Sequence, residues 1–190
     1  MPVTRFYKGF RPRRGTKLLF DTNIWMALCW PQYNSSTNQI KSDMDTQAVS
    51  FLTECINSKY KILLPAMVVS ELINRIYRKE FQSYNKRHPD VNIKEFRETN
   101  EGKDTLKDIA QVFSSQILKF QQKGYIQNVD DSFETISLLE AISGMTNLDF
   151  NDFIIVSICK AQEAVLVTND SDFKAVQEDI NIITTRATGL

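Results

Sequence analysis

The sequence predicts an α/β protein with a mainly parallel central sheet. Short apolar runs that suit buried strands alternate with longer segments in which apolar residues recur at helical spacing. The most apolar part is a helix-like segment around Phe153–Ile158, followed by the run AVLV, which suits a central parallel strand. With 190 residues, 42% hydrophobic and 24% charged, the chain is long enough for one domain with a substantial core.

The N-terminal half supplies two predicted strands, each followed by a helix. In chain order these elements are a strand at Lys17–Phe20, a helix that reaches Cys29, a loop at 32–43, a helix at Asp45–Asn57, a strand at Lys61–Leu64 and a helix that begins at Pro65. Proline suits the first position of a helix because its missing N–H would have no partner there. Pro31 ends the first helix, because a helix cannot normally continue through a proline.

The segment 78–104 is highly charged and has little of the apolar pattern that forms a core. We interpret it as an extension of the preceding helix, a break at Pro89 and an exposed, charged helical insert. Apolar residues then recur at helical spacing from Leu106 to Phe120, which predicts a long amphipathic helix that Gly124 follows.

The C-terminal third completes the alternating pattern. Its predicted elements are a strand or loop at Tyr125–Val129, a helix at Ser132–Ile142, the apolar helix and the AVLV strand, one or two helical turns at Asp172–Gln177 and a last strand at Ile180–Thr184. We expect Phe133, Ile136, Leu139 and Ala141 to be partly buried in the 132–142 helix.

Charge divides the chain into a basic N-terminal arm, residues 1–16, and a single domain at 17–190. The first 17 residues contain six basic residues and no acid, which leaves 17 basic and 23 acidic residues in the rest, a net charge of −6. Such an arm suits phosphate binding, and Phe6, Tyr7 and Phe10 could stack on bases, although a solvated tail explains the same pattern.

Several classes of protein are excluded by what the sequence lacks. The odd number of cysteines and the absence of a CxxC pair indicate buried thiols in a reducing compartment. No apolar run approaches the roughly 18 residues of a membrane span, so we expect a cytoplasmic protein. His88 is the sole histidine, which excludes a nuclease with two catalytic histidines, and no glycine-rich phosphate loop is present.

Acidic residues adjoin the apolar runs at four separate places: Asp21, Glu71, the pair Asp149 and Asp152, and the pair Asp170 and Asp172. Because functional groups of open α/β sheets gather at the carboxyl ends of strands, these acids could converge. Taken singly, each has a structural explanation as a helix cap or a turn residue. Taken together, clustered carboxylates without histidine or cysteine favour Mg²⁺ or Mn²⁺.

The motifs FDTN at 20–23, PAMVVSEL at 65–72, NDF at 151–153 and LVTNDSDF at 166–173 carry a resemblance to a known family. In their order and separation the chain resembles the PIN domain ribonucleases of the toxin type (VapC-like). The resemblance implies a three-layer α/β/α fold and cleavage of RNA that leaves 5′-phosphate and 3′-hydroxyl ends. The sequence departs from the family at Phe153 and Ile154, where small residues are usual, and in its charged insert.

The resemblance also assigns roles to individual residues. It implies catalytic acids at Asp21, Glu71, Asp152 and Asp170, ligands for Mg²⁺ or Mn²⁺ at Asp21, Asp152, Asp170 and Asp172, and supporting residues at Thr22, Asn23, Asp149 and Thr168. Candidate contacts to the RNA backbone are Arg11, Arg13, Arg14, Arg75, Arg78 and Lys79, which a solvated surface would explain equally.

The expected partners are the RNA substrate, an antitoxin protein and a second copy of the chain in a homodimer. A rival hypothesis is a non-catalytic module of the same fold that binds RNA or protein. An aspartyl-phosphate enzyme is a third, weaker hypothesis, because enzymes of the haloacid dehalogenase type need a second aspartate where Asn23 stands.

Overall fold

The computed structural model describes residues 3–10, 13, 15–31, 43–131, 133–144, 148–176 and 180–186. Six strands form one sheet: β1 (Val3–Phe6), β2 (Lys17–Phe20), β3 (Lys61–Pro65), β4 (Ile126–Val129), β5 (Ala164–Val167) and β6 (Asn181–Thr184). Their order is β1-β6-β5-β2-β3-β4, and every pairing is parallel. The predicted parallel α/β sheet is confirmed, and the segment left open as a strand or loop is the edge strand β4.

The helices are α1 (Thr22–Cys29), α2 (Asp43–Asn57), α3 (Ala66–Asn85), α4 (Ile93–Glu98), α5 (Asn100–Val112), α6 (Lys119–Gln122), α7 (Leu138–Gly144) and α8 (Phe150–Gln162). In β2 the consecutive residues Leu18, Leu19 and Phe20 are all fully buried. Because successive side chains of a strand point to opposite faces, both faces of the sheet are covered. Helix α1 packs on α2 and α3, whereas α8 packs on β2 and β5, which gives the three-layer arrangement.

The charged insert has a small aromatic core that its composition did not predict. Phe96 of α4 is buried against the rings of Tyr77, Phe81 and Tyr84, all on α3. A Cβ atom at Gly102 would lie 1.9 Å from the Phe96 carbonyl oxygen, so only glycine fits where α5 crosses this core. The predicted helical insert is therefore confirmed, and it is folded onto α3 as a packed unit.

The predicted long amphipathic helix is also confirmed, with one irregularity. Between α5 and α6 the residues Phe113–Leu118 form a π-helical segment, so the helix continues without a break from Asn100 to Gln122. Gly124 follows with a φ of 74°, a left-handed conformation that ends helices and favours glycine.

Residues 3–10 belong to the sheet and core, which corrects the boundary predicted at residue 17. Val3–Phe6 is the edge strand that pairs with β6. Tyr7 and Phe10 are buried, and the Tyr7 ring lies 5.4 Å from that of Phe51. The proposed stacking of these two aromatic rings on bases is therefore wrong, because neither ring is accessible.

The predicted helix at 132–142 is present only in part. A 3₁₀ turn covers Phe133–Thr135, and α7 starts at Leu138. Phe133 and Leu139 are exposed, with 52% and 76% of their surface accessible, which contradicts the expectation that they are partly buried. Ile136 is partly buried, as expected, and Ala141 is fully buried. The three cysteines are all buried, as predicted.

Candidate active site

The predicted acids lie along one edge of the sheet because β5, β2 and β3 are neighbours and end on the same side. Asp21 directly follows β2, and Asp170 follows β5 by three residues. Glu71 lies in the second turn of α3, which follows β3, and Asp152 lies in the first turn of α8, which precedes β5. Helix starts and strand ends share this edge, as in other open α/β sheets.

Asp21 is the innermost acid and is only 6% exposed. It caps α1, and its carboxylate accepts hydrogen bonds from the Thr22 N–H, the Asn23 side-chain amide and the Thr168 hydroxyl, the last at 2.7 Å. Burial raises the pKa of Asp21 to about 6, because the loss of solvation outweighs the hydrogen bonds from Thr168 and Thr22. Asp21 therefore caps α1 and also lies where the sequence predicts the site.

Asn23 and Thr168 tie the end of β2 to the loop after β5. The Asn23 Nδ2 group donates to Thr168 Oγ1 at 3.2 Å as well as to Asp21. Its Oδ1 atom accepts the Asn169 N–H at 3.1 Å. Thr168 Oγ1 also accepts the Asp170 N–H at 2.9 Å. Asn23 and Thr168 thus support both the innermost acid and the loop that carries Asp170.

Asn169 is a member of this network that the sequence analysis missed. Its Oδ1 atom accepts hydrogen bonds from the hydroxyl groups of Thr184 and Thr185 at 2.9 and 3.1 Å, and its Nδ2 group donates to Thr185 Oγ1 at 2.7 Å. These partners lie at the end of β6, so the side chain fixes the acidic loop to a neighbouring strand. No local pattern signals this role, because the partners are 15 and 16 residues away.

Glu71 is held on both carboxylate oxygens. The hydroxyl of Thr22, which is fully buried, donates to Oε2 at 2.9 Å, and the Arg75 guanidinium forms an ion pair with Oε1 at 2.6 Å. Arg75 lies one helical turn further along α3 and has half of its side chain exposed. Glu71 therefore connects the buried network around Asp21 to the surface of α3.

Asp152 is the acid whose pKa is shifted by the charges of four other acids at this edge. Asp149 caps α8 by accepting the Asp152 N–H at 2.8 Å, as the spacing predicted. Burial and, in decreasing order, the charges of Asp149, Asp21, Asp170 and Glu71 together raise the pKa of Asp152 to about 7. The acids of four separate segments are therefore close enough for their charges to influence one another.

Asp170 and Asp172 differ in position, although both follow β5 closely. Asp170 caps the short 3₁₀ helix at Ser171–Ala175 by accepting the Asp172 N–H at 3.0 Å, and it is one of the charges that raise the pKa of Asp152. Asp172 is exposed and is not among those charges. The role of Asp172 as a metal ligand therefore stays a prediction, with less support from the structure than that of Asp170.

The chemistry of the remaining acids fits a divalent metal ion, with one restriction. Within the described residues, no group of three or more histidine, cysteine, aspartate or glutamate side chains is arranged to hold an ion directly. Mg²⁺ is commonly bound through one or two carboxylates and keeps several waters, so direct ligation by three acids is not required. The raised pKa values of Asp21 and Asp152 are consistent with a cation-binding cluster, since a nearby cation lowers such values.

Two clefts flank the acids. The larger, of about 440 Å³, runs along α3 to the start of α8 and is lined by Met67, Ser70, Glu71, Asn74, Arg75, Arg78 and Asn151. The smaller, of about 220 Å³, is lined by Asn23, Ala27, Asp45, Asn169, Asp170, Ser171 and Arg186. We refer to these as the α3 groove and the Arg186 cleft.

The basic residues predicted to contact RNA are distributed unequally. Arg75 and Arg78 line the α3 groove beside Glu71. Lys79 is partly buried and does not line that groove, and Arg13 is exposed. Arg11 and Arg14 lie outside the described residues.

The fold and the acidic edge define an α/β protein with a carboxylate site at the ends of its central strands. The sequence model of the family described as PIN domain matches residues 18–179, and the chain belongs to that family. PIN domains are generally nucleases and generally use divalent metal ions. No curated protein matches the sequence.

Among solved structures, the chain is similar to the crystal structure of VapBC2 from Rickettsia felis bound to a DNA fragment from their promoter. The two chains are 16% identical, the similarity covers 88% of this chain and 98% of the other, and the TM-score is 0.49. At these values the likeness carries no argument about function. Among the described residues, no helix is long and apolar enough to cross a membrane.

Proposed function

We propose that the protein is a divalent-metal-dependent endoribonuclease that hydrolyses phosphodiester bonds of RNA. The observation that supports this proposal best is the placement of Asp21, Glu71, Asp152 and Asp170 along one edge of the sheet. After burial and the neighbouring Asp149, the charges of the other three acids also raise the pKa of Asp152. Acids from separated segments whose charges repel one another would be stabilised by a divalent cation. Family membership supports nuclease chemistry at such a site.

Each residue of the site has a distinct task in this proposal. Asp21, Asp152 and Asp170 would hold Mg²⁺ or Mn²⁺ directly or through water, and the bound ion would supply a water of lowered pKa and a positive charge beside the phosphate. Thr168 and Asn23 keep the Asp21 carboxylate in one orientation. Asp152, whose pKa is about 7 without a bound ion, would have to be ionised to hold the metal, and the ion would lower that pKa.

The test is cleavage of single-stranded RNA oligonucleotides in Mg²⁺ or Mn²⁺, with and without EDTA. We expect the variant Asp152→Asn to lose activity by about 100-fold or more, the upper range for residues that merely support metal ligands. The matched control is Asp108→Asn, which changes an exposed acid on α5 and should cleave like the unmodified protein. Undiminished activity in EDTA would contradict the proposal.

A non-catalytic PIN-like module that binds RNA or protein is the second candidate. The observation that favours it is the 2.6 Å ion pair between Arg75 and Glu71, which neutralises one of the four acids. Titration calorimetry with Mn²⁺ separates the two candidates. Binding of RNA without binding of Mn²⁺ and without cleavage would favour the module.

We further propose that the nuclease is a toxin that pairs with an antitoxin protein or with a second copy of itself. The supporting observation is the exposure of three large apolar side chains, Phe133, Leu139 and Ile142, close together in the sequence. Co-expression with the product of a small upstream reading frame tests the antitoxin, and sedimentation tests the homodimer. In either case the double variant Leu139→Ala, Ile142→Ala should weaken the association.

A further inference from the structure

We propose that the α3 groove is a ribonucleotide site in which Asn74 and Asn151 hydrogen-bond the ribose 2′-hydroxyl and Arg78 holds the phosphate. This inference rests on the proposed function and deepens it, because hydrolysis by a metal site does not itself require a 2′-hydroxyl. It assigns the choice of RNA over DNA to two side-chain amides that the sequence analysis did not consider.

The shape of the α3 groove follows from the spacing of its residues. The side chains at 67, 70, 71, 74, 75 and 78 recur every three or four positions, so they share one face of α3. Asn151 faces them from the first turn of α8, next to Asp152. The groove therefore starts at the acids and extends along one helix, as a path for a strand leaving the site would.

The lining of the groove suits a polar ligand of nucleotide size. Its volume of about 440 Å³ lies within the usual range of small-molecule sites, roughly 300 to 1,000 Å³. Met67 is the single apolar side chain among the seven that line it. An apolar helix of a partner protein would find little apolar surface here, whereas sugars and phosphates would find donors and acceptors.

Charge distinguishes the α3 groove from the Arg186 cleft on the other flank of the acids. The groove holds Arg75 and Arg78 against Glu71, a formal charge of +1. The cleft holds Asp45 and Asp170 against Arg186, a formal charge of −1, and has half the volume. A phosphodiester chain is therefore attracted to the α3 groove and repelled from the cleft.

The two amides are chemically suited to the 2′-hydroxyl. A carboxamide offers both a donor and an acceptor, as a hydroxyl requires, and deoxyribose has neither. Asn74 and Asn151 are both exposed, and within the described part of the chain neither side chain has a hydrogen-bond partner. Alanine also has a higher helix propensity than asparagine, so their replacement should not disturb α3 or α8.

The experiment measures binding of fluorescein-labelled single-stranded RNA and DNA of the same mixed sequence by anisotropy. All variants carry Asp152→Asn, so that cleavage does not interfere. We expect Asn74→Ala and Asn151→Ala each to weaken RNA binding by about three- to tenfold and DNA binding by less than about twofold, the range of one hydrogen bond. Arg78→Ala should weaken RNA and DNA equally and reduce the salt dependence.

The control is Asn181→Ala, an exposed asparagine at the start of β6, which should leave both affinities unchanged. Equal affinity of the parent for RNA and DNA would overturn the inference, and so would equal losses of RNA and DNA binding in the asparagine variants. The proposed function has its own readout, since it fails if the unmodified protein does not cleave RNA in Mg²⁺ or Mn²⁺, whatever the binding data show.

Discussion

Asp21 and Asp152 are two carboxylates at one edge of the sheet whose surroundings differ. Asp21 is buried and accepts hydrogen bonds from three donors, two at the start of α1 and one in the loop after β5. Asp152 is partly exposed, and in the described part of the chain no donor contacts its carboxylate. The inner acid is thus compensated by hydrogen bonds of the fold itself, whereas within the described residues the outer acid has no such compensation.

Metal binding should give the largest effect that this comparison predicts. At a free concentration of Mg²⁺ or Mn²⁺ one hundred times the dissociation constant, the folded state gains about 2.7 kcal/mol, which corresponds to roughly 5 to 10 °C in Tm. Differential scanning fluorimetry measures the shift. Asp152→Asn should lose most of it and Asp108→Asn should keep it, and an equal shift in both would place the ion away from the outer acid.

The inner acid can be tested by the removal of one hydroxyl. Thr168→Val preserves the shape of a fully buried side chain but deprives Asp21 of a donor and the Asp170 N–H of its acceptor. We expect a loss of about 1 to 3 kcal/mol in the free energy of unfolding, measured with urea. Thr168→Ser, which keeps the hydroxyl, is the control. A valine variant as stable as the serine variant would mean that the fold does not depend on this network.

The same contrast explains which parts of the site could be predicted from the sequence. The position of Asp21, Glu71 and Asp152 at the edge of the sheet could be predicted because each adjoins an apolar run, while their role in the site stays a prediction. Asn169 was missed because its four hydrogen bonds join segments that only the folded sheet brings together. Asp172 was included because sequence proximity to Asp170 does not reveal which side of a turn is exposed.

The fold shows a similar division between local and distant information. The strands β2, β3, β5 and β6 were predicted because short apolar runs define them locally. The edge strand β1 was read as a basic arm, since its pairing partner β6 lies more than 170 residues away and its charges suggest solvent. The aromatic core of the insert was hidden because its rings come from two helices and are surrounded by charged residues.

The outer acid makes stability depend on pH in a definite direction. The pKa of Asp152 is about 7 in the folded chain against an ordinary value of 3.8, so the folded state binds more protons between these values. Stability therefore falls as the pH rises through this window, and the charged form remains unfavourable above it. Asp152→Asn should raise Tm at pH 8 by a few degrees, about 1 to 2 kcal/mol after allowance for solvent screening, and should not raise it at pH 4.

Thermal melts of both proteins across pH 4 to 8, in buffer without metal ions, measure this difference. Asp108→Asn is again the reference, because an exposed acid should give a difference that does not change over this range. A constant gain in the Asp152→Asn variant from pH 4 to 8 would show that the amide stabilises α8 by a contact unrelated to charge.

Glu71 allows the smallest effect to be tested, because a buried residue contacts one of its carboxylate oxygens and an exposed residue contacts the other. Thr22 is fully buried, and its replacement by valine should cost about 1 kcal/mol or more, since the hydroxyl is shielded from competing water. Arg75 is half exposed and one turn away on the same helix, so Arg75→Ala should cost only about 0.3 to 0.5 kcal/mol. Urea unfolding of the two variants measures the ratio. If Arg75→Ala lowers the free energy of unfolding as much as Thr22→Val, the exposed contact stabilises the fold as much as the buried one. The distinction between buried and exposed contacts would then not hold at Glu71.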